Sequence, residues 1–157
     1  MWLRQQSFLR KGHVMSKLAF IFPGQGAQKA GKGKEFYENR ETARSFFDQA
    51  QKILDFDLKE MCFGEHEELN LTEYTQPCMV SVCLAIVQEL KKRGINPDIT
   101  AGLSLGEYAA VAAADGMNEL DAIKLVRRRG ILMQSTVPAG EGAMAAVLGL
   151  DAKKIEE

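Results

Sequence analysis

The sequence predicts an α/β protein built around a parallel sheet. Two short apolar runs, at residues 18–22 and 99–101, each lead into a glycine-containing turn, and segments with apolar residues at helical spacing follow both runs. Strands that alternate with helices in this way are typical of parallel sheets. The chain has 157 residues, 46% of them hydrophobic and 26% charged, which suggests one globular domain with its own core.

The N-terminal segment, residues 1–15, differs from the rest of the chain. It carries basic side chains and no acidic one, and Met15 stands just before the first apolar run. A secretory signal would need a longer apolar stretch and a small-residue cleavage site. We interpret this segment as a disordered N-terminal extension, for which a basic targeting peptide is the alternative.

The run at residues 18–22 is predicted to be a buried strand, and the loop at residues 23–28 follows it. Glycines in such a loop let the backbone approach a ligand closely. The loop matches neither GxGxxG nor GxxxxGKS/T, so it is not predicted to bind phosphate groups. We interpret it as a loop whose N–H groups face a reaction centre.

Longer helices are predicted at residues 41–54, at residues 75–93 and at residues 118–135, where apolar side chains recur at helical spacing. Pro77 is acceptable in the first turn of the second helix, and Asn118 is a plausible N-cap of the third. These helices supply the predicted core.

Two polar segments between and within these helices carry candidate functional groups. Residues 63–70 are predicted to be a surface loop with a solvated His66. Residues 127–129 are three consecutive arginines on the last of the three helices. Because successive helical residues point about 100° apart, we expect two of these side chains to be solvated and one to turn inward.

The last part of the chain is predicted to start a second module. Residues 138–142 form a hinge-like loop, residues 143–150 an apolar strand and residues 151–157 the start of a helix.

Composition and spacing exclude several classes of function. The net charge of −1 gives no overall field for nucleic acid or a membrane surface, and no apolar run is long enough to span a membrane. Cys62, Cys78 and Cys83 lack CxxC spacing, which argues against a disulfide scaffold and against a zinc site. No metal or cofactor is expected, and the cysteine usage indicates a reducing, cytoplasmic compartment.

The pentapeptide Gly102-Leu103-Ser104-Leu105-Gly106 lies between the predicted strand at residues 99–101 and an alanine-rich helical run at residues 107–114. Strand, turn and helix are the context in which GxSxG forms a nucleophile elbow, with the serine in a strained conformation. The flanking glycines avoid collisions with neighbouring backbone. The pentapeptide alone leaves a second interpretation open, a glycine-rich turn with an incidental serine.

An elbow enzyme stabilises its oxyanion with two backbone N–H groups, one from the residue after the nucleophile and one from a separate loop. Leu105 follows Ser104, and Gln25 lies in the glycine-containing loop after the first strand. We therefore expect Ser104 to be the nucleophile, with Leu105 and Gln25 as the oxyanion-hole donors.

Several stretches together go further than the pentapeptide. They are residues 22–28 (FPGQGAQ), 75–77 (TQP), 102–107 (GLSLGE), 129–138 (RGxxMQxxVP) and 142–147 (GAMAAV). In their order and spacing these stretches resemble malonyl-CoA:acyl carrier protein transacylases. The similarity extends from about Ser16 to the last residue.

The resemblance implies both a fold and an activity. The fold is an α/β-hydrolase-like large subdomain, of which residues 16–136 are the first part, and a ferredoxin-like small subdomain that starts in residues 137–157. The activity is transfer of malonyl from malonyl-CoA to the thiol of acyl carrier protein in fatty acid biosynthesis, through an acyl ester on Ser104.

The resemblance also implies roles for substrate-binding residues. Arg129 matches the arginine that clamps the free carboxylate of malonyl, a task that suits the planar guanidinium fork. Met133 is expected to line the acyl pocket. Gln76 is a candidate substrate-binding residue, for which a structural role at the helix start is the alternative.

The chain departs from the family in its histidines. The family's catalytic histidine lies well downstream of Arg129, whereas His13 and His66 match nothing in the family pattern. Leu103 replaces a histidine that is frequent in the family but is not the general base. We therefore expect a C-terminally truncated fragment with little activity by itself, since a serine without its base is a weak nucleophile.

Other functions remain open from the sequence alone. A serine hydrolase or thioesterase would share the elbow and the oxyanion loop. A non-catalytic carrier-protein-binding fragment would present cations from residues 91–93 and 127–128 to an acidic partner. An acyltransferase domain of a polyketide-type synthase is a third possibility.

Overall fold

The structure, a computed structural model, describes residues 17–137, 140–142 and 147–156. Within these ranges the chain forms, in order, β1 (Ala19–Phe22), α1 (Lys34–Asn39), α2 (Glu41–Gln51), α3 (Leu58–Phe63), a 3₁₀ helix (Glu67–Asn70), α4 (Thr72–Lys92), β2 (Ile99–Gly102), α5 (Gly106–Ala113), α6 (Glu119–Thr136) and α7 (Ala152–Glu156).

The two strands form a parallel pair, as the sequence predicts. Ala19 lies opposite Ile99 and Phe22 lies opposite Gly102, so the carboxyl ends of β1 and β2 meet at one edge. Asp98 closes the other end, because its N–H donates to the carbonyl of Leu18 and its carboxylate accepts from the N–H of the same residue. The loops that follow both strands therefore start side by side.

The faces of this pair differ in burial. Phe22 points into the core and is 6% exposed, whereas Ile21 and Ile99 on the opposite face are 77% and 57% exposed. Side chains alternate across a strand, so one face of each strand packs on the helices and the other does not. In the described part of the chain the helices cover only the inner face.

Helix α4 lies at the centre of the helical layer and contacts α2, α3, α5 and α6. Its residues 75–82 are all buried, which is the pattern of a helix enclosed on every side. The core around it is aliphatic and aromatic; its fully buried members include Phe47, Leu58, Leu84, Ile123 and Val126.

Helix α4 begins earlier than the sequence predicts. It starts at Thr72, so Pro77 lies inside the helix and not in its first turn. Proline has no N–H, and the carbonyl of Glu73 four residues earlier therefore lacks its usual helical donor. The Nη1 atom of Arg127 donates to that carbonyl at 2.8 Å and replaces the missing bond.

Most other predicted elements are confirmed. The two strands, α2, α5 and α6 lie where the apolar spacing predicts them, and the Asn118 side chain caps α6 by accepting from the N–H groups of Leu120 and Asp121. Helix α2 ends at Gln51, short of the predicted residue 54, because the chain turns there.

Helices α1 and α3 were not predicted, and one polar segment is more ordered than expected. Helix α3 is capped by Asp57, whose carboxylate accepts from the N–H of Glu60, a spacing that the sequence could have signalled. Residues 63–70 contain the 3₁₀ helix. His66, expected to be solvated, is half-buried and lies 3.0 Å from a Glu60 carboxylate oxygen.

Predictions for the two ends of the chain are only partly tested. The extension at residues 1–15 lies outside the described residues. Of the strand predicted at residues 143–150, residues 143–146 also lie outside them, and residues 147–150 are not in a strand. The helix predicted after it is confirmed as α7.

Candidate active site at the carboxyl edge of the sheet

Ser104 lies at the apex of a tight turn between β2 and α5. Its φ angle is 49°, which places a non-glycine residue in the left-handed region and indicates backbone strain. A Cβ on Gly102 would lie 2.1 Å from the carbonyl carbon of Gly106, and one on Gly106 would lie 2.3 Å from the carbonyl oxygen of Phe22. The sequence prediction of a strained elbow that needs both glycines is therefore confirmed.

The turn exposes the serine and orients the start of α5. Ser104 is exposed, while the next residue, Leu105, is buried and anchors the turn in the core. The N–H of Gly106 donates to Leu103 and that of Glu107 donates to Ser104, but the N–H of Leu105 bonds no residue that the structure describes. A free donor therefore lies directly beside the serine.

The loop after β1 packs against this turn. The N–H of Leu103 donates to the carbonyl of Phe22 at 3.1 Å, and a Cβ on Gly24 would lie 3.0 Å from the carbonyl oxygen of Leu103. Among the described residues the backbone N–H of Gln25 also has no acceptor. The loop thus lies against the elbow, and the role of the Gln25 N–H as an oxyanion donor stays a prediction.

The side chain of Gln25 is held by two residues of α4. Its Nε2 donates to the hydroxyl of Thr72 at 3.1 Å, and its Oε1 lies 3.5 Å from Nε2 of Gln76. The same Gln76 nitrogen lies 3.3 Å from the sulfur of Met133. Gln76 is fully buried, and its Oε1 has no partner among the described residues. The structure therefore joins three of the predicted site residues in one cluster.

Arg129 reaches the serine from α6. Its Nη2 lies 3.5 Å from the Ser104 hydroxyl, and its guanidinium lies 5.6 Å from the ring centroid of Tyr108, a cation–π contact. Arg129 forms no salt bridge with the residues that the structure describes. A partly buried cation without an anionic neighbour, beside an exposed hydroxyl, is suited to bind a carboxylate.

Arg127 lies on the same helix but has a structural role. Its guanidinium bonds Asp55 at 2.8 and 2.9 Å and Glu73 at 3.1 Å, and it packs against the rings of both Phe56 and Tyr74. The hydrogen bond from Arg127 lowers the pKa of Asp55. The expectation of two solvated arginines is wrong, because only Arg128 is exposed.

The pairing of other cations bears on the carrier-binding alternative. Lys91 bonds Asp115 at 2.7 Å and Arg93 bonds Glu89 at 2.7 Å, so these charges are largely neutralised by neighbours, as is that of Arg127. The set of cations that the sequence suggested for an acidic partner is therefore mostly engaged within the chain.

No other reactive cluster was found among the described residues. They contain no group of three or more His, Cys, Asp or Glu side chains arranged to hold a metal ion. None of the described helices is both long enough and apolar enough to cross a membrane. A cavity of about 630 Å³ between α2, α4 and α6 includes none of the predicted site residues.

The cysteines are free and largely buried. Cys62 and Cys78 are buried and Cys83 is half-buried. A hydrogen bond with Cys78 and burial raise the pKa of the Cys62 thiol, and burial raises that of Cys83 to about 11. These two thiols stay protonated at neutral pH and are poor nucleophiles.

Sequence reasoning missed two polar residues at this site. Thr72 and Gln134 bond each other and link α4 with α6, since the N–H of Thr72 donates to Oε1 of Gln134 at 3.0 Å. The earlier start of α4 hid Thr72, because a helix predicted to begin at Thr75 leaves Thr72 in a loop. The sequence carries no capping signal for this start, since the N-cap residue is Leu71 and no side chain caps the helix.

Comparison with known proteins identifies close relatives. The chain is 49% identical over 144 residues to the malonyl CoA-acyl carrier protein transacylase of Bacillus subtilis (strain 168), an alignment that covers 91% of this chain and 45% of the relative. The chain thus spans about half the length of the curated relatives that it matches.

Solved structures agree with this similarity. The malonyl CoA-acyl carrier protein transacylase from Clostridium perfringens matches with a TM-score of 0.80 and 42% identity over 90% of this chain and 45% of that one. A malonyl-transacylase in complex with its type II PKS acyl-carrier protein matches with a TM-score of 0.82 and 39% identity over 89% and 46%. The family model described as Acyl transferase domain matches residues 19–157. The chain therefore belongs to the acyl transferase domain family.

Proposed function

We propose that this chain provides the acyl-accepting half of a malonyl-CoA:acyl carrier protein transacylase site. The observation that carries the proposal is the 3.5 Å approach of the Arg129 guanidinium to the hydroxyl of Ser104 on a strained elbow. The similarity to named malonyl CoA-acyl carrier protein transacylases supports it.

In the proposed reaction, the Ser104 oxygen attacks the thioester carbonyl of malonyl-CoA. A bond forms between this oxygen and the acyl carbon, the carbon–sulfur bond breaks, and coenzyme A leaves as a thiol after taking up the serine proton. The N–H groups of Leu105 and Gln25 stabilise the tetrahedral oxyanion. Loss of one such donor typically raises the barrier by about 3–4 kcal/mol.

Arg129 gives the proposed site its substrate preference. The guanidinium fork donates two parallel hydrogen bonds to the free carboxylate of malonyl. An acetyl group leaves this cation without an anion, since Arg129 forms no salt bridge with the described residues. This unpaired arginine favours a malonyl transferase over a hydrolase of neutral esters.

The second substrate is proposed to be the thiol of an acyl carrier protein, which attacks the acyl ester and regenerates the serine. A structural relative was solved with its acyl-carrier protein, which supports this partner. We place the reaction in fatty acid biosynthesis in the cytoplasm, consistent with the free cysteines. Either a polyketide pathway or a fatty acid pathway uses the same chemistry at this site.

We also propose a division of the chain. Residues 16–136 form the first part of an α/β-hydrolase-like large subdomain, and residues 137–157 start a ferredoxin-like small subdomain. The end of α6 at Thr136 supports a boundary at this point.

Acylation of Ser104 tests the proposed function. The purified chain is incubated with malonyl-CoA or acetyl-CoA, and the acyl group on the serine is located by peptide mass spectrometry. Among the described residues the serine hydroxyl bonds Arg129 and no histidine, so we expect slow acylation, several orders of magnitude below an enzyme whose serine is paired with a histidine base. Ser104→Ala should abolish it.

Arg129→Lys tests the substrate preference in the same assay. A lysine keeps the charge but loses the bidentate fork, so the preference for malonyl over acetyl should fall by about tenfold or more. Arg128→Lys is the matched control, since the Arg128 side chain is exposed whereas that of Arg129 is half-buried. A malonyl preference that survives Arg129→Lys unchanged, or label on a residue other than Ser104, would refute the proposal.

A further inference from the structure

The first turn of α4 connects the two halves of the candidate site. The Thr72 hydroxyl accepts a hydrogen bond from Nε2 of Gln25 at 3.1 Å, and the Thr72 N–H donates to Oε1 of Gln134 at 3.0 Å. Thr72 is thereby bonded to the loop that carries one predicted oxyanion donor and to the helix that carries Arg129.

The backbone of α6 fixes the position of this turn. A Cβ on Gly130 would lie 2.8 Å from the carbonyl oxygen of Thr72 and 2.8 Å from the Cα of Glu73, so the two helices touch where no side chain intervenes. The Gln134 side chain then satisfies one of the N–H groups that a helix leaves unpaired at its start. Thr72 is consequently held at a constant place relative to Arg129.

Few described hydrogen bonds restrain the Gln25 side chain. Gly26 has a φ of 104°, a conformation that depends on glycine, and its N–H is bonded by the Gln28 side chain at 2.8 Å. The Gln25 side chain itself bonds only Thr72 and, at 3.5 Å, Gln76 among the described residues. The Thr72 bond is therefore the shorter of the two that restrain this residue.

We propose that Thr72 is a positioning residue that holds Gln25 so that its backbone N–H points toward the acyl carbonyl on Ser104. The proposal rests on the proposed function of the elbow. Thr72 touches neither the substrate nor the serine; it acts through Gln25. Oxyanion donors are effective only at hydrogen-bond distance from the developing charge, so a small loss of orientation lowers the rate.

Rates of Ser104 acylation test this role. Thr72→Val keeps the shape and the backbone N–H but removes the hydroxyl, and we expect about a tenfold fall in rate at saturating malonyl-CoA. The half-saturating concentration should change by less than about twofold, because Arg129 is unaffected. Thr72→Ser should restore the rate. Thr136→Val is the control, since the Thr136 hydroxyl bonds only Leu132 within α6.

A second acyl donor separates this proposal from the proposed function. An activated acetyl ester needs the oxyanion hole but no carboxylate clamp. If the wild-type chain reacts with the ester and not with malonyl-CoA, the proposed function fails. The role of Thr72 is still supported in that case if Thr72→Val reacts about tenfold more slowly with the ester and Thr72→Ser restores the wild-type rate. Equal rates for wild type and Thr72→Val with both donors would overturn the proposed role of Thr72.

If the chain reacts with neither donor, a structural measurement tests the role of Thr72. In NMR spectra of the full chain, the side-chain NH₂ and backbone amide signals of Gln25 should shift in Thr72→Val, return in Thr72→Ser and stay unchanged in Thr136→Val. Unchanged Gln25 signals in Thr72→Val would show that the hydroxyl does not hold this residue, and would also overturn the proposal.

Discussion

The inner and outer faces of the two-stranded sheet have opposite relationships to the rest of the described chain. On the inner face, Phe22 lies in the core and the hydroxyl of Thr100 donates to the carbonyl of Ala110 in α5 at 3.0 Å. On the outer face, Ile21 and Ile99 are mostly exposed. Both faces carry apolar side chains, yet the described helices pack on only one of them.

This difference shows that an apolar side chain stabilises the fold only where it is packed. Apolar side chains contribute to folding through the surface that they remove from water, and not through being apolar. The inner face does this and also fixes the strand-to-helix turn that carries Ser104. We therefore expect substitutions on the inner face to destabilise the chain and those on the outer face to have little effect.

The largest effect is expected at the junction of the inner face with α5. Gly106→Ala places a methyl group 2.3 Å from the carbonyl oxygen of Phe22, and backbone on both sides would have to move. We expect a loss of more than about 3 kcal/mol in the free energy of unfolding, measured by urea denaturation. Gly116→Ala, whose methyl group would lie no closer than 3.1 Å to Val111, should cost below about 1 kcal/mol. Similar losses for the two variants would contradict the close approach at Gly106.

Paired truncations of neighbouring residues compare the faces directly. Phe22→Ala should lower the free energy of unfolding by about 3 kcal/mol, because it leaves a cavity in the core. Ile21→Ala should change it by less than about 0.5 kcal/mol, since that side chain is already exposed. Equal losses in urea denaturation would mean that the outer face is buried in solution by another polypeptide segment.

The smallest effect is expected for a charge on the outer face. Ile99→Lys should leave the free energy of unfolding within about 0.5 kcal/mol of the wild-type value. It should also reduce self-association, measured by light scattering, because a lysine on an exposed strand discourages pairing between chains. Thr100→Lys on the inner face is the contrast and should lower the free energy of unfolding by about 2 kcal/mol, because it removes the hydrogen bond to Ala110. An inner lysine that costs no more than Ile99→Lys would remove the distinction between the faces.

Local sequence signals predicted the site better than they predicted its surroundings. The glycines around Ser104 and the Asn118 cap are short-range patterns, and the structure has them as expected. The inward turn of Arg127 was not predictable from spacing alone, because it depends on Asp55 and Glu73, which are distant in sequence. The direction of Arg129 came from the family resemblance.

The start of α4 and the exposed sheet face show a second limit. Pro77 suggested a helix start because proline lacks an N–H, but a distant guanidinium supplies the missing donor and lets the helix begin at Thr72. Short apolar runs likewise indicate strands without telling which face is covered. Both outcomes depend on tertiary partners that no local window contains.

The low reactivity of the natural thiols would allow a cysteine introduced at the elbow to be labelled selectively. Cys62 and Cys78 are buried, and the pKa of Cys83 is raised to about 11, whereas position 104 is open to solvent beside a guanidinium. A cysteine introduced there by Ser104→Cys would ionise more readily than Cys83, because a nearby cation favours the thiolate. Alkylating reagents at neutral pH would then mark this single position, which allows a fluorophore or spin label to be attached to the elbow without removing the natural cysteines.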